Sequence, residues 1–385
     1  MKILIFNELY HPNKCGGAEV STQLLAEGLV KSGHEVHVCT STDIEKETIN
    51  NGVYVHFIKQ ANIYWSHKHG STPSYKKVFW HLLDSYNFLN KKRINDIINK
   101  IKPDIIHTNV ISGFSCIIWK CAKEHNIPIV HTLRDYYLMC VRTTMFHRNT
   151  NCINQCTFCK TTSMPRKRLS NYVSAVVGIS SFILNKHIEY GYFRKAQIKR
   201  VIPNSVKELD MSNSNIQRKK IIGYLGRISP SKGIELLINS FLSLNNKEYT
   251  LQIAGDGDSA YYSYLQNKYK SSQVSFIGRV NPYSFLKNIS LLVVPSLWHE
   301  PFGRVVIEAQ AAHCPVFVSN RGGMPELINE DIGRVFDIEK KGSLTNLLKD
   351  FTEGHILLSP SINYKKYSEN TIAKEYENIY QNILH

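Results

Sequence analysis

Short apolar segments without polar interruption recur along this 385-residue chain, and they constrain its fold more than any other feature. Most are rich in β-branched residues, which is typical of parallel strands that are covered on both faces. Helical patterns of about ten or more residues separate several of them, which favours repeated βαβ units and the α/β class. The predicted strands are 2–7, 35–41, 53–58, 104–109, 128–133 and 175–180, followed by 220–226, 250–255, 274–278, 290–296, 315–320 and 333–337.

A polar segment near the middle of the chain indicates two domains. Residues 207–219 contain few apolar side chains, which predicts a linker. Because the chain is long enough for two domains of ordinary size, we place an N-terminal domain at 1–206 and a C-terminal domain at 207–363. The last segment, 364–385, has the amphipathic pattern of a helix that includes Tyr376, Ile379, Tyr380 and Ile383.

The hydropathy pattern excludes a membrane-spanning protein. No apolar run approaches the ~18 residues that a spanning helix needs. The N-terminal apolar run is cut short by Asn7, Glu8 and His11, which argues against a signal peptide. We therefore expect a cytoplasmic protein whose cysteines are reduced.

The net charge of +16 is large, and the basic clusters lie mostly in the first half with Tyr and Trp between them. No nucleic-acid-binding module is recognisable, so nucleic acid is not an expected partner. Residues 75–93 combine lysines with Val78, Phe79 and Trp80, as does an amphipathic helix that binds the anionic surface of a membrane. The alternatives are a helix that packs these apolar residues into the core, or a merely solvated basic face.

Two glutamates eight residues apart follow the predicted strand 290–296. Glu300 lies in a turn before Gly303, and Glu308 lies in a predicted helix over 304–313. A helix N-terminus offers free N–H groups and a positive dipole end, which together bind anions. Because two carboxylates beside it can bind hydroxyls, the motif suits a ligand that is part phosphate and part sugar. An ordinary loop with one capping and one surface carboxylate is the alternative.

Two further motifs also follow predicted strands. Arg227 and Lys232 are five residues apart across a turn, so both cationic groups can converge on one anion. The planar fork of Arg and the point charge of Lys together fit a diphosphate, and a solvated turn is the alternative. Near the N-terminus, Gly16 and Gly17 allow the backbone at the start of a helix to approach a ligand closely.

Taken together, these motifs resemble those of the retaining glycosyltransferases of family 4, and the resemblance covers nearly the whole chain. That family has the GT-B fold, in which two Rossmann-like, doubly wound domains face a cleft and a final helix crosses back to the first domain. The matching motifs are Gly16-Gly17, residues 201–205, Gly226-Arg227 with Lys232, residues 255–257, residues 300–308 and residues 322–326.

The resemblance implies transfer of a sugar from a nucleotide-sugar donor to a glycan acceptor, lipid-linked or a surface polysaccharide, with retention of the anomeric configuration. It implies that Glu300 contacts the donor sugar and that Glu308 binds the ribose hydroxyls. Arg227 and Lys232 would neutralise the diphosphate, so no catalytic cofactor is required. We therefore expect Glu300, Arg227 and Lys232 to be catalytic. The other expected donor-binding residues are Gly16, Gly17, Gly226, Asp256, Phe302, Gly303 and Arg304.

The segment after the predicted strand 128–133 departs from the family pattern. Many members carry a His-Asp pair there, whereas here Arg134 occupies the position of the histidine and precedes Asp135. His107, at the end of another strand, is a further candidate for the acceptor side. A histidine packed in the core is the alternative for His107.

Four cysteines lie close together in the following loop. Cys140, Cys152, Cys156 and Cys159 have the spacing C-x11-C-x3-C-x2-C, which suits a tetrahedral structural zinc. Unliganded reduced thiols or an occasional disulfide are the alternative.

Two other functions remain open at this stage. One is a GT-B enzyme that does different chemistry on a sugar nucleotide, such as epimerisation. The other is a non-catalytic protein that binds sugar nucleotides, although the intact set of Glu300, Glu308, Arg227 and Lys232 argues against it.

Overall fold

The computed structural model describes residues 1–13, 16–67, 72–207, 218–358 and 364–385. Contacts between residues divide the chain into two compact units. The first unit comprises Met1–Met145, Cys152–Lys207 and Tyr367–His385, and the second comprises Phe146–Asn151 and Glu208–Lys366. The chain therefore leaves the first unit for six residues, well before the predicted linker.

Strands and helices alternate through both units. The strands are β1 (Lys2–Phe6), β2 (Glu35–Thr42), β3 (Lys46–Asn50), β4 (Val53–Lys59), β5 (Ile105–Thr108), β6 (Ile129–Leu133), β7 (Phe146–His147), β8 (Thr150–Asn151), β9 (Ala175–Gly178), β10 (Ile198–Val201), β11 (Lys219–Leu225), β12 (Thr250–Ala254), β13 (Val274–Gly278), β14 (Ile289–Val294), β15 (Val316–Ser319) and β16 (Gly333–Phe336). The α-helices are α1 (Gly17–Lys31), α2 (Ser74–Ser85), α3 (Lys91–Ile101), α4 (Ile117–Glu124), α5 (Thr157–Leu169), α6 (Ser181–Glu189), α7 (Ile234–Leu242), α8 (Ser259–Lys268), α9 (Pro282–Asn288), α10 (Arg304–Ala311), α11 (Ser343–Thr352) and α12 (Glu369–Leu384).

Each unit is built on one main sheet. The first unit has eight strands in the order β10-β9-β6-β5-β1-β2-β4-β3, and all neighbours are parallel except β3 and β4. The second has six parallel strands in the order β13-β12-β11-β14-β15-β16. In both sheets the chain order reverses beside the first strand, which is the doubly wound arrangement that places ligands at the carboxyl ends of the strands. The predicted α/β class with two Rossmann-like domains is confirmed.

The final helix packs on the first unit, as the resemblance implied. Ile372, Ala373, Tyr376, Ile379 and Tyr380 of α12 belong to the same buried cluster as side chains of β1, β2 and α1. At the rim of this cluster Lys31 of α1 forms an ion pair with Glu369, with Nζ and Oε2 2.8 Å apart. Because α12 covers apolar residues of the first sheet, the C-terminal segment completes the core of the unit that begins the chain.

All twelve predicted strands are present, but the sequence did not predict four others. β3 and β10 lie at the two edges of the first sheet, where one side is open to solvent and charged side chains are common. β7 and β8 have two residues each, too few for an apolar pattern. In the part of the chain that the structure describes, no helix is both long enough and apolar enough to span a bilayer.

Candidate functional site

The loop between β14 and α10 fixes the carboxylate of Glu300. Oε1 of Glu300 accepts a hydrogen bond from Lys232 Nζ at 2.7 Å and another from the Ser296 hydroxyl. Lys232 ends a short 3₁₀ turn that follows β11, so the ion pair joins the loops at the carboxyl ends of two neighbouring strands. Its ammonium also lies 5.4 Å from the centre of the Trp298 ring, within the range of a cation–π contact. The predicted motifs after β11 and β14 thus form one cluster.

Two glycines allow these loops to approach each other. Gly233 has φ +68°, and a Cβ atom there would clash with the carbonyl oxygen of Pro295. Gly322 has φ +65°, and a Cβ atom there would clash with the backbone of Glu300. Only glycine adopts such conformations without strain and leaves room for a neighbouring backbone. The Gly322-Gly323 motif therefore supports Glu300: the N–H of Gly323 donates to the Glu300 carbonyl at 2.7 Å.

Glu308 lies on α10, one turn beyond the start of the helix. Its Oε1 accepts from Arg304 Nε at 2.8 Å. Burial raises the pKa of Glu308, and the Arg304 charge opposes that rise. Gly303, in the left-handed region with φ +97°, is the N-cap residue of α10, and Phe302 beside it is buried. The predicted donor-site residues 302–304 and Glu308 thus surround one helix N-terminus.

The remaining predicted donor residues of the second unit lie on the loops after β11 and β12. Gly226 directly follows β11, and its N–H donates to the Ala254 carbonyl at 3.0 Å. Arg227 is exposed, and its carbonyl accepts from the Tyr224 hydroxyl at 2.7 Å. Asp256 forms an ion pair with Arg279, with Nε and Oδ2 2.6 Å apart. Arg279 and Ser296 were not predicted as site residues, although Ser296 could have been found from its place at the end of the predicted strand 290–296.

In the first unit, carboxylates gather near the start of α1. Gly16 is the N-cap residue of α1, which begins at Gly17, and Glu19 of its first turn is buried. Asp135 accepts from the N–H of Tyr137 at 2.8 Å. Burial and the nearby charges of Glu8 and Glu19 raise the pKa of Asp135 to about 7.

Arg134 and His107 are both buried, but they have different hydrogen-bond partners. Arg134 is buried, and its guanidinium donates to Asn109 at 2.8 Å and to Asn204 at 2.5 Å. His107 is fully buried, and its two ring nitrogens are hydrogen-bonded to Tyr380 and Thr132 at 2.7 and 2.8 Å. Burial and Arg134 lower the pKa of His107 to about 3. These contacts match the alternative of a packed, neutral histidine rather than the acceptor-side role.

The predicted zinc site is not formed. Within the described residues, no three His, Cys, Asp or Glu side chains are arranged to hold a metal ion. The Cys159 thiol donates to the Cys140 sulfur, with the two sulfur atoms 3.9 Å apart, whereas Cys156 is exposed and Cys152 is half-buried. The hydrogen bond from Cys159 lowers the pKa of Cys140 to about 6. The four cysteines therefore include one hydrogen-bonded thiol pair, and all eight described cysteines carry free thiols.

Helix α2 presents an apolar face to solvent. Tyr75 is 61% exposed and Phe79 59% exposed, and Val78 and Leu82 are exposed beside them. The turn after α2 adds two more exposed residues, Phe88 and Leu89, while Trp80 is buried. The alternative in which this segment packs its apolar residues into the core is therefore wrong for all of these except Trp80. Exposed lysines accompany the apolar face: Lys76, Lys77 and Lys92.

The surroundings of Asp135 make stability depend on pH. Because the folded-state pKa is about 7 and the ordinary value is 3.8, folding favours the protonated acid, and this contribution is lost as pH rises from about 4 to 7. We expect Asp135→Asn to raise the melting temperature more at pH 8 than at pH 4. At 1.36 kcal/mol per pKa unit, the gain has an upper bound of about 4 kcal/mol. The exposed Asp96→Asn variant is the control, and equal shifts at both pH values for Asp135→Asn would contradict this expectation.

Comparisons with known proteins agree with this geometry. A family model for Glycosyltransferase Family 4 matches residues 15–208, and one for Glycosyl transferases group 1 matches residues 206–372. An uncharacterised 42.6 kDa protein in the cps region of Klebsiella pneumoniae is 37% identical over 332 residues, 85% of this chain and 87% of that protein.

Two solved structures share the fold over nearly the whole chain. Sucrose-phosphate synthase from Thermosynechococcus elongatus has a TM-score of 0.75 at 18% identity and covers 99% of this chain and 98% of its own. HepE from Anabaena, in complex with UDP and glucose, has a TM-score of 0.72 at 18% identity and covers 99% of this chain and 100% of its own. This likeness shows that the two Rossmann-like units are those of the GT-B fold.

Proposed function

Because the chain belongs to glycosyltransferase family 4, we propose that it is a retaining enzyme that moves a hexosyl group from a nucleotide-sugar donor to a glycan acceptor. The observation that supports this most is the Lys232–Glu300 pair, with Nζ and Oε1 2.7 Å apart, on the loop that leads into α10. It combines a cation for phosphate, a carboxylate for sugar hydroxyls and a helix N-terminus for further negative charge.

The two oxygens of Glu300 have different surroundings, which suits a donor sugar. Lys232 and Ser296 both donate to Oε1. In the part of the chain that the structure describes, Oε2 has no hydrogen-bond partner. We assign Oε2 to a hydroxyl of the donor sugar. Glu308 would bind the ribose hydroxyls, with Arg304 holding its carboxylate in place.

The proposed reaction needs no nucleophile from the protein. The bond between the anomeric carbon and the diphosphate oxygen breaks, and the bonding electrons stay on the diphosphate. The acceptor hydroxyl oxygen bonds to the anomeric carbon on the same face, and its proton passes to the departing phosphate. Lys232, Arg227 and the N–H groups at the start of α10 would stabilise the charge that grows on the leaving group. The anomeric carbon gains oxocarbenium character, as in glycoside hydrolysis.

The relatives suggest where to look for substrates. HepE was solved with UDP and glucose, so UDP-glucose is the first donor to test. The Klebsiella relative comes from a cps region, which favours a capsule-type surface polysaccharide or its lipid-linked precursor as the acceptor. In the first unit, Arg134 and Asp135 are the residues that we propose for the acceptor side.

Acceptor-dependent release of nucleoside diphosphate tests this function. The protein is incubated with UDP-glucose and other sugar nucleotides, with and without lipid-linked or polysaccharide acceptors, and proton NMR gives the anomeric configuration of the product. We expect nucleoside diphosphate to be released with acceptor, and the product to keep the configuration of the donor. An inverted product would contradict the retaining mechanism. Conversion of the donor sugar without any acceptor would favour epimerisation instead.

We also propose that the acceptor is held at the cytoplasmic face of a membrane, because α2 exposes apolar side chains beside lysines. Each Lys or Arg near an anionic surface contributes about 1 kcal/mol, so a few of them give reversible attachment. Binding to vesicles with anionic lipids should exceed binding to neutral vesicles and should fall at 1 M salt, where the screening length is ~3 Å.

Co-sedimentation with vesicles tests this attachment. Phe79→Ser with Leu82→Ser should weaken binding at both salt concentrations. Ile49→Ser is the matched control, because Ile49 is 67% exposed on the edge strand β3 of the same unit. Equal binding to neutral and anionic vesicles, or equal loss in the control, would leave the α2 face without a membrane function.

A further inference from the structure

A six-residue hairpin belongs to the second unit, although the chain before it and the chain after it both belong to the first unit. The hairpin arm, Phe146–Asn151, consists of β7, β8 and a tight turn in which Arg148 and Asn149 have φ +51° and +60°. Two successive residues with positive φ are typical of the turns that connect two-stranded hairpins. The arm thus has a regular local structure that ends at Asn151.

The side-chain amide of Asn151 both donates a hydrogen bond to the loop before Glu300 and accepts one from it. Its Nδ2 donates to the Leu297 carbonyl at 2.8 Å, and its Oδ1 accepts from the N–H of His299 at 2.9 Å. One side chain therefore satisfies two backbone groups two residues apart, much as a neighbouring strand would. An amide group can do this because it carries a donor and an acceptor side by side.

The backbone that Asn151 holds, residues 297–299, includes or adjoins the two residues that contact Lys232. Trp298 lies between the two backbone groups that Asn151 holds, and its ring contacts the Lys232 ammonium at 5.4 Å. Glu300 follows His299 directly and forms the ion pair with the same lysine. A shift of residues 297–299 would therefore move both partners of Lys232.

Residues of the second half of the chain anchor the same loop as well. The N–H of Leu297 donates to the Ser231 carbonyl at 2.8 Å. The N–H of Gly322 donates to Nδ1 of His299 at 3.2 Å. Asn151 acts on the loop through its side chain, so a point substitution can remove its two hydrogen bonds while the sequence of the loop stays the same.

We propose that Asn151 is a positioning residue of the donor site, which holds residues 297–299 so that Trp298 and Glu300 keep Lys232 in place. The expected effect of Asn151 on catalysis rests on the proposed function. The effect of its two hydrogen bonds on the conformation of residues 297–299 does not.

The conformation of the loop can be measured without any substrate. The fluorescence of Trp298 is obtained as the difference between each protein and its Trp298→Phe counterpart, and acrylamide quenching reports how accessible the ring is. Asn151→Ala should make Trp298 more accessible. So should Asn151→Asp, because its second oxygen would face the Leu297 carbonyl. Thr150→Val is the matched control, since the Thr150 hydroxyl donates to His147 within the arm at 3.0 Å.

Steady-state kinetics then test whether the loss of the Asn151 hydrogen bonds lowers kcat. We expect Asn151→Ala to lower kcat about 10- to 30-fold, the scale of one or two neutral hydrogen bonds, while Thr150→Val keeps the wild-type kcat. Combined with Lys232→Ala, Asn151→Ala should cause little further loss, because it acts through Lys232.

Unchanged quenching of Trp298 in Asn151→Ala, or an unchanged kcat, would overturn the proposal. Additive losses in the double variant would do so too. If the wild-type protein turns over no sugar nucleotide, the proposed function fails, whereas the quenching experiment still decides whether Asn151 holds the loop.

Discussion

Lys232→Ala is expected to lower kcat about 100-fold, or ~2.7 kcal/mol, the scale measured when one donor to a transition-state oxyanion is removed. The reason is that Lys232, on the loop after β11, is the cation that the structure joins to Glu300. Arg227→Ala should act in the same direction, because Arg227 lies on the same loop. The measurement is acceptor-dependent release of nucleoside diphosphate under saturating donor.

A second lysine–glutamate pair provides the control for Lys232→Ala. Nζ of Lys268 on α8 and Oε2 of Glu235 on α7 are 2.6 Å apart, and both side chains are substantially exposed. Lys268→Ala should leave kcat unchanged and should change the stability little, because surface ion pairs contribute little to stability. A wild-type kcat for Lys232→Ala would contradict the assignment of this lysine to the leaving group.

Glu308→Ala is expected to weaken donor binding by about 1.5–3 kcal/mol, which is roughly a 10- to 150-fold rise in Kd. The loss reflects hydrogen bonds from hydroxyls to a charged carboxylate that Arg304 holds in place. Isothermal calorimetry with the donor and with the free nucleoside diphosphate measures it. Because the ribose belongs to both ligands, both affinities should fall by a similar factor.

The matched control for Glu308 is another carboxylate that follows a basic residue by four positions. Glu353 is the C-cap residue of α11, and its Oε1 is 3.9 Å from Nζ of Lys349. Glu353→Ala should leave donor affinity unchanged. An unchanged Kd for Glu308→Ala would show that Glu308 does not bind the donor.

The central strands could be predicted because their environment is uniform. A strand such as β14 is covered on both faces, so each of its positions favours an apolar residue and the pattern needs no knowledge of partners. Edge strands such as β3 and β10 lack this uniform environment. The two-residue strands β7 and β8 contain too little sequence to carry a pattern at all.

The individual residues of the candidate site could be predicted from the sequence, but the contacts between them could not. Glu300 and Lys232 were each selected from the loop that follows a strand, yet they are 68 residues apart, and only the sheet order brings them into contact. Asn151 was missed because it lies among the cysteines, where the sequence suggested a metal loop. The exposed face of α2 was left open since an apolar helical pattern is the same whether it faces a core or a membrane.

Binding of nucleoside diphosphates to the wild-type protein tests the central claim most directly, because it requires no acceptor. The diphosphates UDP, GDP and ADP are titrated by calorimetry together with the monophosphate CMP, and a thermal-shift panel includes the corresponding nucleotide sugars. We predict that one nucleoside diphosphate binds at a single site, that it raises stability by about 2.7 kcal/mol at 100 times its Kd, and that Glu308→Ala weakens it. If none of these ligands binds the wild-type protein, or if Glu308→Ala binds the same ligand equally well, the donor site assigned to the second unit is wrong.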